Sequence, residues 1–167
     1  MSKLDLLRKK IYTYSDADFQ RMLNIWRFQG KKIVFTNGCF DILHLGHIDY
    51  LSKAAELGNL LIVGLNTDES VRRIKGGNRP LQDEISRATV LAALQFVNIV
   101  VYFGEDTPYN CIKITQPDVL VKGGDYSPEE IVGYDIVRAK SGTIATIKYL
   151  EGYSTTAIEN KILKKGG

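Results

Sequence analysis

The sequence predicts an α/β fold in which a parallel sheet of five strands carries helices on both faces. From about residue 31 onwards, short apolar runs alternate with segments in which apolar residues recur at helical spacing. Strands that alternate with helices in this way form a parallel sheet that is covered on both faces. Glycines and charged side chains also gather in the loops that follow the predicted strands. Together these observations predict a Rossmann-like fold, whose ligands bind beyond the carboxyl ends of the strands.

The predicted strands are short and apolar, and they cover residues 33–36, 60–65, 99–102, 119–121 and 143–149. Helices are predicted at residues 48–57, 84–94, 108–114 and 128–140, and a terminal helix is predicted from residue 154. The segment Ser127-Pro128-Glu129-Glu130 is typical of a helix start, because it combines a capping box with proline at the first helical position.

The first 30 residues are predicted to form a separate N-terminal helical extension, with the main domain at residues 31–167. Apolar residues recur at helical spacing from Phe19 to Trp26, and Gly30 is a plausible helix stop. The apolar face of this helix could pack on its own domain, which is the commoner arrangement, or it could serve an interface.

Length and composition limit the class of protein. A chain of 167 residues suits one domain with a sizeable core, and a formal charge of +3 is too small to indicate nucleic-acid binding. No apolar run is long enough to span a membrane, and the N-terminus lacks a secretory signal. We therefore expect a cytoplasmic protein with no nucleic-acid or membrane partner. Cys39 and Cys111 lack metal-ligand spacing and are expected to be reduced thiols.

Both histidines of the chain, His44 and His47, lie in the loop after the first predicted strand. Residues three apart at a helix start share a face, so both imidazoles can point at one spot. Free N–H groups at the helix start attract anions to that spot, and Gly38 and Gly46 allow the backbone to approach a ligand closely. The pattern indicates an anion site. Two alternatives remain, namely a cation site that includes Asp41 and a pair of surface histidines without a ligand.

The same loop resembles the signature of the HIGH-type nucleotidyltransferase superfamily in the residues Gly38-x-Phe40-Asp41-x-x-His44-x-Gly46-His47. The resemblance implies that residues 31–167 form a nucleotidyltransferase domain. It also implies that His44 and His47 contact the nucleotide phosphates and stabilise the transition state. Asp41 is a candidate magnesium ligand, although no direct metal ligand is assigned. Nucleotide contacts in this loop are implied for Asn37, Gly38, Cys39, Phe40 and Gly46.

Two later loops contribute basic residues. Lys75 and Arg79 lie in a loop with two glycines, which suits a mobile clamp on phosphates, and Arg87 follows in the next predicted helix. Lys122 and Gly123 end the fourth predicted strand and match a lysine-glycine-x-aspartate-tyrosine segment of the superfamily. Taken alone, the loop with Lys75 is better explained as a solvated basic turn, and the loop with Lys122 is uninformative. The resemblance favours catalytic roles for Lys75 and Lys122 and nucleotide contacts for Arg79 and Gly123.

Polar residues in two further loops complete the predicted site. Hydroxyls and free N–H groups at residues 154–156 precede the last helix and suit phosphate binding, although they are also ordinary N-cap chemistry. The loop after the second strand resembles an asparagine-x-aspartate segment of the superfamily, where Asp68 could instead cap the helix that starts at Glu69. The resemblance implies nucleotide contacts for Asn66, Asp68, Ser154, Thr155 and Thr156.

Within the superfamily, residues 118–126 and 149–156 are most similar to adenylyltransferases that act on D-glycero-β-D-manno-heptose 1-phosphate. The resemblance implies ATP and this sugar phosphate as substrates, Mg²⁺ as the metal ion, and ADP-heptose for the lipopolysaccharide core as a product. A separate heptose kinase is expected in the same pathway, because the kinase half of the fused relatives is absent from this chain. A homodimer or higher homo-oligomer is also expected.

Three other activities stay open at this point. The chain could be a cytidylyltransferase that acts on glycerol 3-phosphate or another small phosphorylated alcohol. It could be a nucleotide-binding regulatory module without catalysis, although such a module would be expected to have lost a histidine or a phosphate-binding lysine. It could also be a metal-dependent hydrolase that uses His44, His47 and Asp41.

Overall fold

The computed structural model describes residues 1–165, which form one parallel sheet of six strands with helices on both faces. The strands are β1 (Ile11–Thr13), β2 (Ile33–Gly38), β3 (Leu60–Asn66), β4 (Ile99–Phe103), β5 (Val119–Gly123) and β6 (Thr143–Ile147). The helices are α1 (Lys3–Arg8), α2 (Ala17–Phe28), α3 (Leu45–Ala55), α4 (Asp68–Lys75), α5 (Glu84–Ala93), α6 (Tyr109–Thr115), α7 (Tyr134–Ala139) and α8 (Thr155–Lys165). The predicted α/β, Rossmann-like class is confirmed.

The order of the strands is β1-β4-β3-β2-β5-β6, and all neighbouring pairs run parallel. From β2 the chain first adds β3 and β4 on one side and then returns to place β5 on the other side. The order therefore reverses between β2 and β5, which pair through Val34 with Val119 and Phe35 with Leu120. Open parallel sheets bind ligands at such a reversal, outside the carboxyl ends of the strands.

The core consists of two apolar layers, one on each face of the sheet. Side chains alternate along β2, so that Val34 faces one layer while Ile33 and Phe35 face the other. Helices α3 and α5 cover the first face through residues such as Leu51 and Leu91. The second face is covered by α2, α6 and α7. The central strands β2 to β5 are largely buried on both faces, as expected for a parallel sheet between helices, whereas the edge strands β1 and β6 are partly exposed.

The segment at residues 1–30 differs from the predicted helical extension, because it contains the sixth strand of the sheet. Strand β1 pairs with β4 at the edge, with Ile11 opposite Val100 and Thr13 opposite Tyr102. Phe19 of α2 is fully buried in the same apolar layer as the central strands. The first 30 residues therefore contribute side chains to the core of the main domain. The domain boundary near residue 30 stays a prediction.

Two predicted elements are shorter than expected. The helix predicted at 128–140 is a 3-10 helix, Pro128–Glu130, followed by the separate helix α7. Gly133 separates them with a φ of 91°, a left-handed conformation that glycine adopts without strain. Strand β6 ends at Ile147, so Tyr149 lies beyond the sheet. Among the described residues, no helix is both long and apolar enough to cross a membrane.

Candidate active site

A cavity of about 570 Å³ opens at the reversal of strand order, beyond the ends of β2 and β5. Asn37 and Gly38 at the end of β2 line it on one side, and Lys122 and Gly123 at the end of β5 line it on the other. Other predicted residues line the same cavity, namely Cys39, Phe40, His47, Asn66 and Lys75. The fold thus brings together residues from four separate segments of the chain.

The loop between β2 and α3 is built around Phe40, which is buried and adopts a left-handed backbone with a φ of 46°. Its ring lies edge-on to His47, with 5.3 Å between the ring centroids. Gly38 leaves room for this ring, since a Cβ at that position would meet it at 2.9 Å. Phe40 therefore supports the imidazole of His47 from behind.

The two imidazoles are stacked, with 3.9 Å between their centroids and 25° between their planes. His44 is the N-cap of α3, and its carbonyl accepts from the N–H of His47 at 2.9 Å. The Nδ1 atoms of His44 and His47 are buried and have no hydrogen-bond partner within residues 1–165. The geometry places two imidazoles side by side at a helix start, as the spacing predicts.

Burial, together with the nearby positive charges of His44 and Lys75, lowers the pKa of His47 to about 4. Burial also lowers the pKa of His44. Both imidazoles are therefore neutral at neutral pH in the free protein, and each has one N–H to donate. A neutral donor suits a phosphate oxygen that gains negative charge during a reaction.

We expect the pKa of His47 to rise when a nucleotide binds, because phosphate charge favours the imidazolium. A nearby opposite charge typically shifts a pKa by about 1 to 3 units. Since the chain has only two histidines, an NMR titration of their ring protons, with and without a non-hydrolysable ATP analogue, measures this directly. The His44→Gln variant assigns the two signals. An unchanged His47 titration at saturating analogue would contradict phosphate binding at this imidazole.

Two lysines face the cavity from opposite sides. Lys75 is the last residue of α4, and Lys122 lies at the end of β5. Lys122 is half-buried, and burial lowers its pKa. Both lysines and His47 line the same cavity, so all three can contact the phosphates of one ligand or of two adjacent ligands.

A second cavity of about 310 Å³ lies on the other side of His47 and shares Tyr50 and Tyr149 with the first. The remaining residues of its wall are His44, Gly46, Tyr153, Ser154 and Thr155. The starts of α3 and α8 both face this cavity, and helix starts present free N–H groups to anions. The hydroxyl of Ser154 accepts from the N–H of Ala157 at 3.0 Å, so it also caps α8. Thr156 lines neither cavity.

Asp41 and Arg79 line neither cavity, and the predicted nucleotide contact of Arg79 stays a prediction. The Asp41 carboxylate accepts from the N–H groups of Leu81 and Gln82, each at 2.9 Å, and from Arg79 at 2.9 Å. Arg79 also pairs with Glu159 of α8. Asp41 and Arg79 therefore pair with each other, and Asp41 holds the loop that precedes α5.

The proposed cation site is likewise not assembled. The carboxylate of Asp41 is engaged away from His44 and His47, and within residues 1–165 no three histidine, cysteine or acidic side chains are grouped to hold a metal ion. Asp68 was predicted to contact the nucleotide, but its carboxylate accepts from Arg87 at 2.6 Å. The cap of α4 is the hydroxyl of Thr67, which accepts from the N–H of Ser70.

Arg87 is the largest fully buried side chain of the protein. Its guanidinium donates to the carbonyls of Cys39 at 2.6 Å and Asn66 at 2.9 Å, as well as to Asp68. It also donates to the carbonyl of Gln82 at 3.1 Å. Arg87 thus joins the loops that follow β2 and β3, and it supports the cavity wall from behind.

Several residues of the cavity wall were not predicted from the sequence. The loop after β4 contributes Asp106, Thr107 and Pro108, and the tyrosines are Tyr50, Tyr126 and Tyr149. The position of Asp106 three residues after the end of β4 could have indicated this loop. Tyr126 ends the lysine-glycine-x-aspartate-tyrosine segment. Tyr50 lies within a helix and Tyr149 beyond the last strand, so their positions give no such signal.

Comparison with known proteins shows the family to which the chain belongs. Residues 35–161 match the family described as cytidylyltransferase-like. Bifunctional protein HldE of Citrifermentans bemidjiense is 56% identical over 135 residues, which are 81% of this chain and 28% of that protein. The HldE protein of Wolinella succinogenes is 54% identical over 148 residues, which are 89% of this chain and 30% of that protein. The chain thus spans less than a third of the length of these curated relatives.

Two solved structures share the fold. The lipopolysaccharide core biosynthesis protein from Thermoplasma volcanium GSS1 has a TM-score of 0.60 and 28% identity, covering 75% of this chain and 100% of that one. Pantoate-beta-alanine ligase from Francisella tularensis has a TM-score of 0.55 and 18% identity, covering 92% of this chain and 78% of that one, and this likeness concerns the fold alone. With its HIGH-type loop at the reversal of strand order, the chain belongs to the cytidylyltransferase-like family of nucleotidyltransferases.

Proposed function

We propose that this nucleotidyltransferase transfers AMP from ATP to D-glycero-β-D-manno-heptose 1-phosphate, giving ADP-heptose and pyrophosphate. The observation that carries the transfer reaction is the pair of adjoining cavities that meet at His47. One cavity has the starts of two helices in its wall, and the other has two lysines. A site for two phosphorylated substrates needs such a pair of anion-binding regions beside one another.

The smaller cavity suits the triphosphate of ATP. Free backbone N–H groups at the starts of α3 and α8 can bind phosphate oxygens, and they are held in place by the helices. The larger cavity suits the sugar phosphate, since Lys75 and Lys122 can bind its phosphate while the loop after β4 and Tyr126 line the remaining volume. In this arrangement His47 lies beside the α-phosphate, where the two substrates meet.

The proposed reaction is an in-line displacement at the α-phosphorus of ATP. An oxygen of the sugar phosphate forms the new P–O bond, and the bond to the β-phosphate oxygen breaks, so that its electron pair leaves with pyrophosphate. A phosphate nucleophile is already anionic and requires no general base. The low pKa of His47 fits this scheme, because its imidazole acts as a hydrogen-bond donor to the reacting phosphate.

Magnesium is proposed as the metal ion of the reaction. The site fits an ion that is held mainly by substrate, because within residues 1–165 no cluster of acidic side chains is placed to bind one. Mg²⁺ binds phosphate oxygens and water readily, and it would supply charge neutralisation on the triphosphate. The protein's own contribution to binding the phosphate charge would then come from His44, His47, Lys75 and Lys122.

The acceptor is proposed from similarity. Residues 118–126 and 149–156 resemble heptose 1-phosphate adenylyltransferases, which in many bacteria are one half of a bifunctional protein. The curated relatives are bifunctional proteins, of which this chain spans 28–30%. A separate heptose kinase as pathway partner, a homo-oligomeric state and a cytoplasmic location belong to the same proposal.

A second candidate is a cytidylyltransferase that acts on glycerol 3-phosphate, which the description of the matching family favours. Pyrophosphate release from ATP or CTP, each combined with heptose 1-phosphate or glycerol 3-phosphate, separates the two. We expect kcat/KM for ATP with heptose 1-phosphate to exceed the other combinations by about a hundredfold or more. A preference for CTP with glycerol 3-phosphate would contradict the proposal, and the His47→Ala variant controls for contaminating enzymes.

A further inference from the structure

The segment before the matched family region contacts the loop whose residues 106–108 line the larger cavity. The family match begins at residue 35, and strand β1 lies before it. Because β1 runs parallel to β4, with Thr13 opposite Tyr102, the chain leaves β1 at the same edge of the sheet where β4 ends. The next residue, Tyr14, donates its hydroxyl to Oε1 of Glu105 at 2.6 Å, across 91 positions of sequence.

Glu105 belongs to the loop after β4, whose next three residues line the larger cavity. Its carboxylate accepts a second hydrogen bond from Asn110 at 3.1 Å. Burial opposes the charge of Glu105, but the bonds from Tyr14 and Asn110 hold its pKa below the ordinary value. The side chain is therefore a charged acceptor, and hydrogen bonds to charged groups are the stronger kind.

The same loop is held on its other side by α4. The hydroxyl of Ser70 donates to the carbonyl of Glu105 at 2.9 Å and accepts from the amide of the cavity residue Asn66 at 2.9 Å. Arg73 pairs with Asp106 at 2.9 Å. The loop thus lies between α4, which ends in Lys75, and the N-terminal segment. These α4 contacts do not involve Tyr14, so we expect them to persist when its hydroxyl is removed.

We propose that Tyr14 is a positioning residue for the acceptor half of the site, an inference that rests on the proposed reaction. By holding Glu105, Tyr14 sets the position of Asp106, Thr107 and Pro108 in the wall of the larger cavity. Tyr14 does not touch that cavity itself. The N-terminal segment then helps to position the active site, in addition to adding an edge strand to the sheet.

The test uses the full-length chain with Tyr14→Phe, and Tyr12→Phe serves as the matched control. Tyr12 lies two residues earlier in β1, is also half-buried, and its hydroxyl has only a 3.9 Å contact with the sulfur of Met22. We expect Tyr14→Phe to raise KM for heptose 1-phosphate about fivefold, with kcat and KM for ATP within about twofold of wild type. Tyr12→Phe should leave all three constants within about twofold.

Hydrogen exchange of the free protein gives a second readout that needs no substrate. We expect the amides of residues 104–107 to exchange about fivefold faster in Tyr14→Phe and at the wild-type rate in Tyr12→Phe. Unchanged exchange and unchanged acceptor KM would overturn the proposal, as would an equal rise of KM for both substrates. If wild-type protein shows no turnover of ATP and heptose 1-phosphate, the proposed function fails, and the exchange rates alone decide the role of Tyr14.

Discussion

Replacement of His47 by alanine is expected to lower kcat by about 10² to 10³, with KM for both substrates changed much less. In other enzymes, removal of one hydrogen-bond donor to an oxygen that gains negative charge in the transition state lowers kcat by a similar factor. The ring of His47 is stacked on His44 and supported by Phe40, so its position is preorganised before the substrate binds. Steady-state pyrophosphate release measures the change.

The matched control for this prediction is His47→Gln, which keeps an N–H donor on a side chain of similar length. We expect its kcat to lie between those of wild type and His47→Ala. Thermal unfolding of both variants should remain close to wild type, since the imidazole Nδ1 has no hydrogen-bond partner among the described residues. Turnover by His47→Ala within about threefold of wild type would refute the catalytic role.

Replacement of Arg87 by methionine is expected to lower the free energy of unfolding by about 3 to 5 kcal/mol, because removal of one partner of a buried ion pair leaves buried groups unsatisfied. The side chain of Arg87 is 0% exposed and pairs with Asp68, whose side chain is 22% exposed. The carbonyls of Cys39 and Asn66 also lose their donor. Urea unfolding followed by circular dichroism measures the effect.

An exposed arginine provides the control for this stability prediction. Arg21 pairs with Asp18 on the surface of α2, and their side chains are 73% and 71% exposed. Exposed pairs contribute little, so Arg21→Met should change the free energy of unfolding by less than about 1 kcal/mol. If Arg87→Met does not fold, Arg87→Lys keeps the charge with fewer donors and should unfold at a urea concentration below that of wild type. An Arg87 variant that unfolds at the same urea concentration as wild type would contradict the account.

The features that sequence predicted well are local ones. The apolar runs of β2 to β5 and the glycines and histidines between residues 38 and 47 are contiguous patterns, and each can be interpreted without knowledge of its neighbours. The topological rule for parallel sheets then placed His47, Lys75 and Lys122 near one another. The structure confirms this proximity, although their catalytic roles stay predictions.

The features that sequence missed depend on distant partners. Strand β1 has three residues and forms by pairing with β4, so no local pattern separates it from a helix or loop. Sequence offered Asp41 only as a candidate magnesium ligand, and it favoured a nucleotide contact for Arg79 through the family resemblance and its basic, glycine-containing loop. In the structure each is the other's partner, with Glu159 of α8 as a third. Such pairing depends on tertiary contacts between segments that are far apart in the chain.

The central claim is that the α-phosphate of a nucleoside triphosphate binds beside His47, between the two cavities. A crystal structure of the full chain with α,β-methylene-ATP and Mg²⁺ tests it most directly. The account predicts an α-phosphate oxygen about 3 Å from an imidazole nitrogen of His47, with the other phosphates at the starts of α3 and α8. A triphosphate bound elsewhere, with neither imidazole within hydrogen-bond distance of it, would contradict the account.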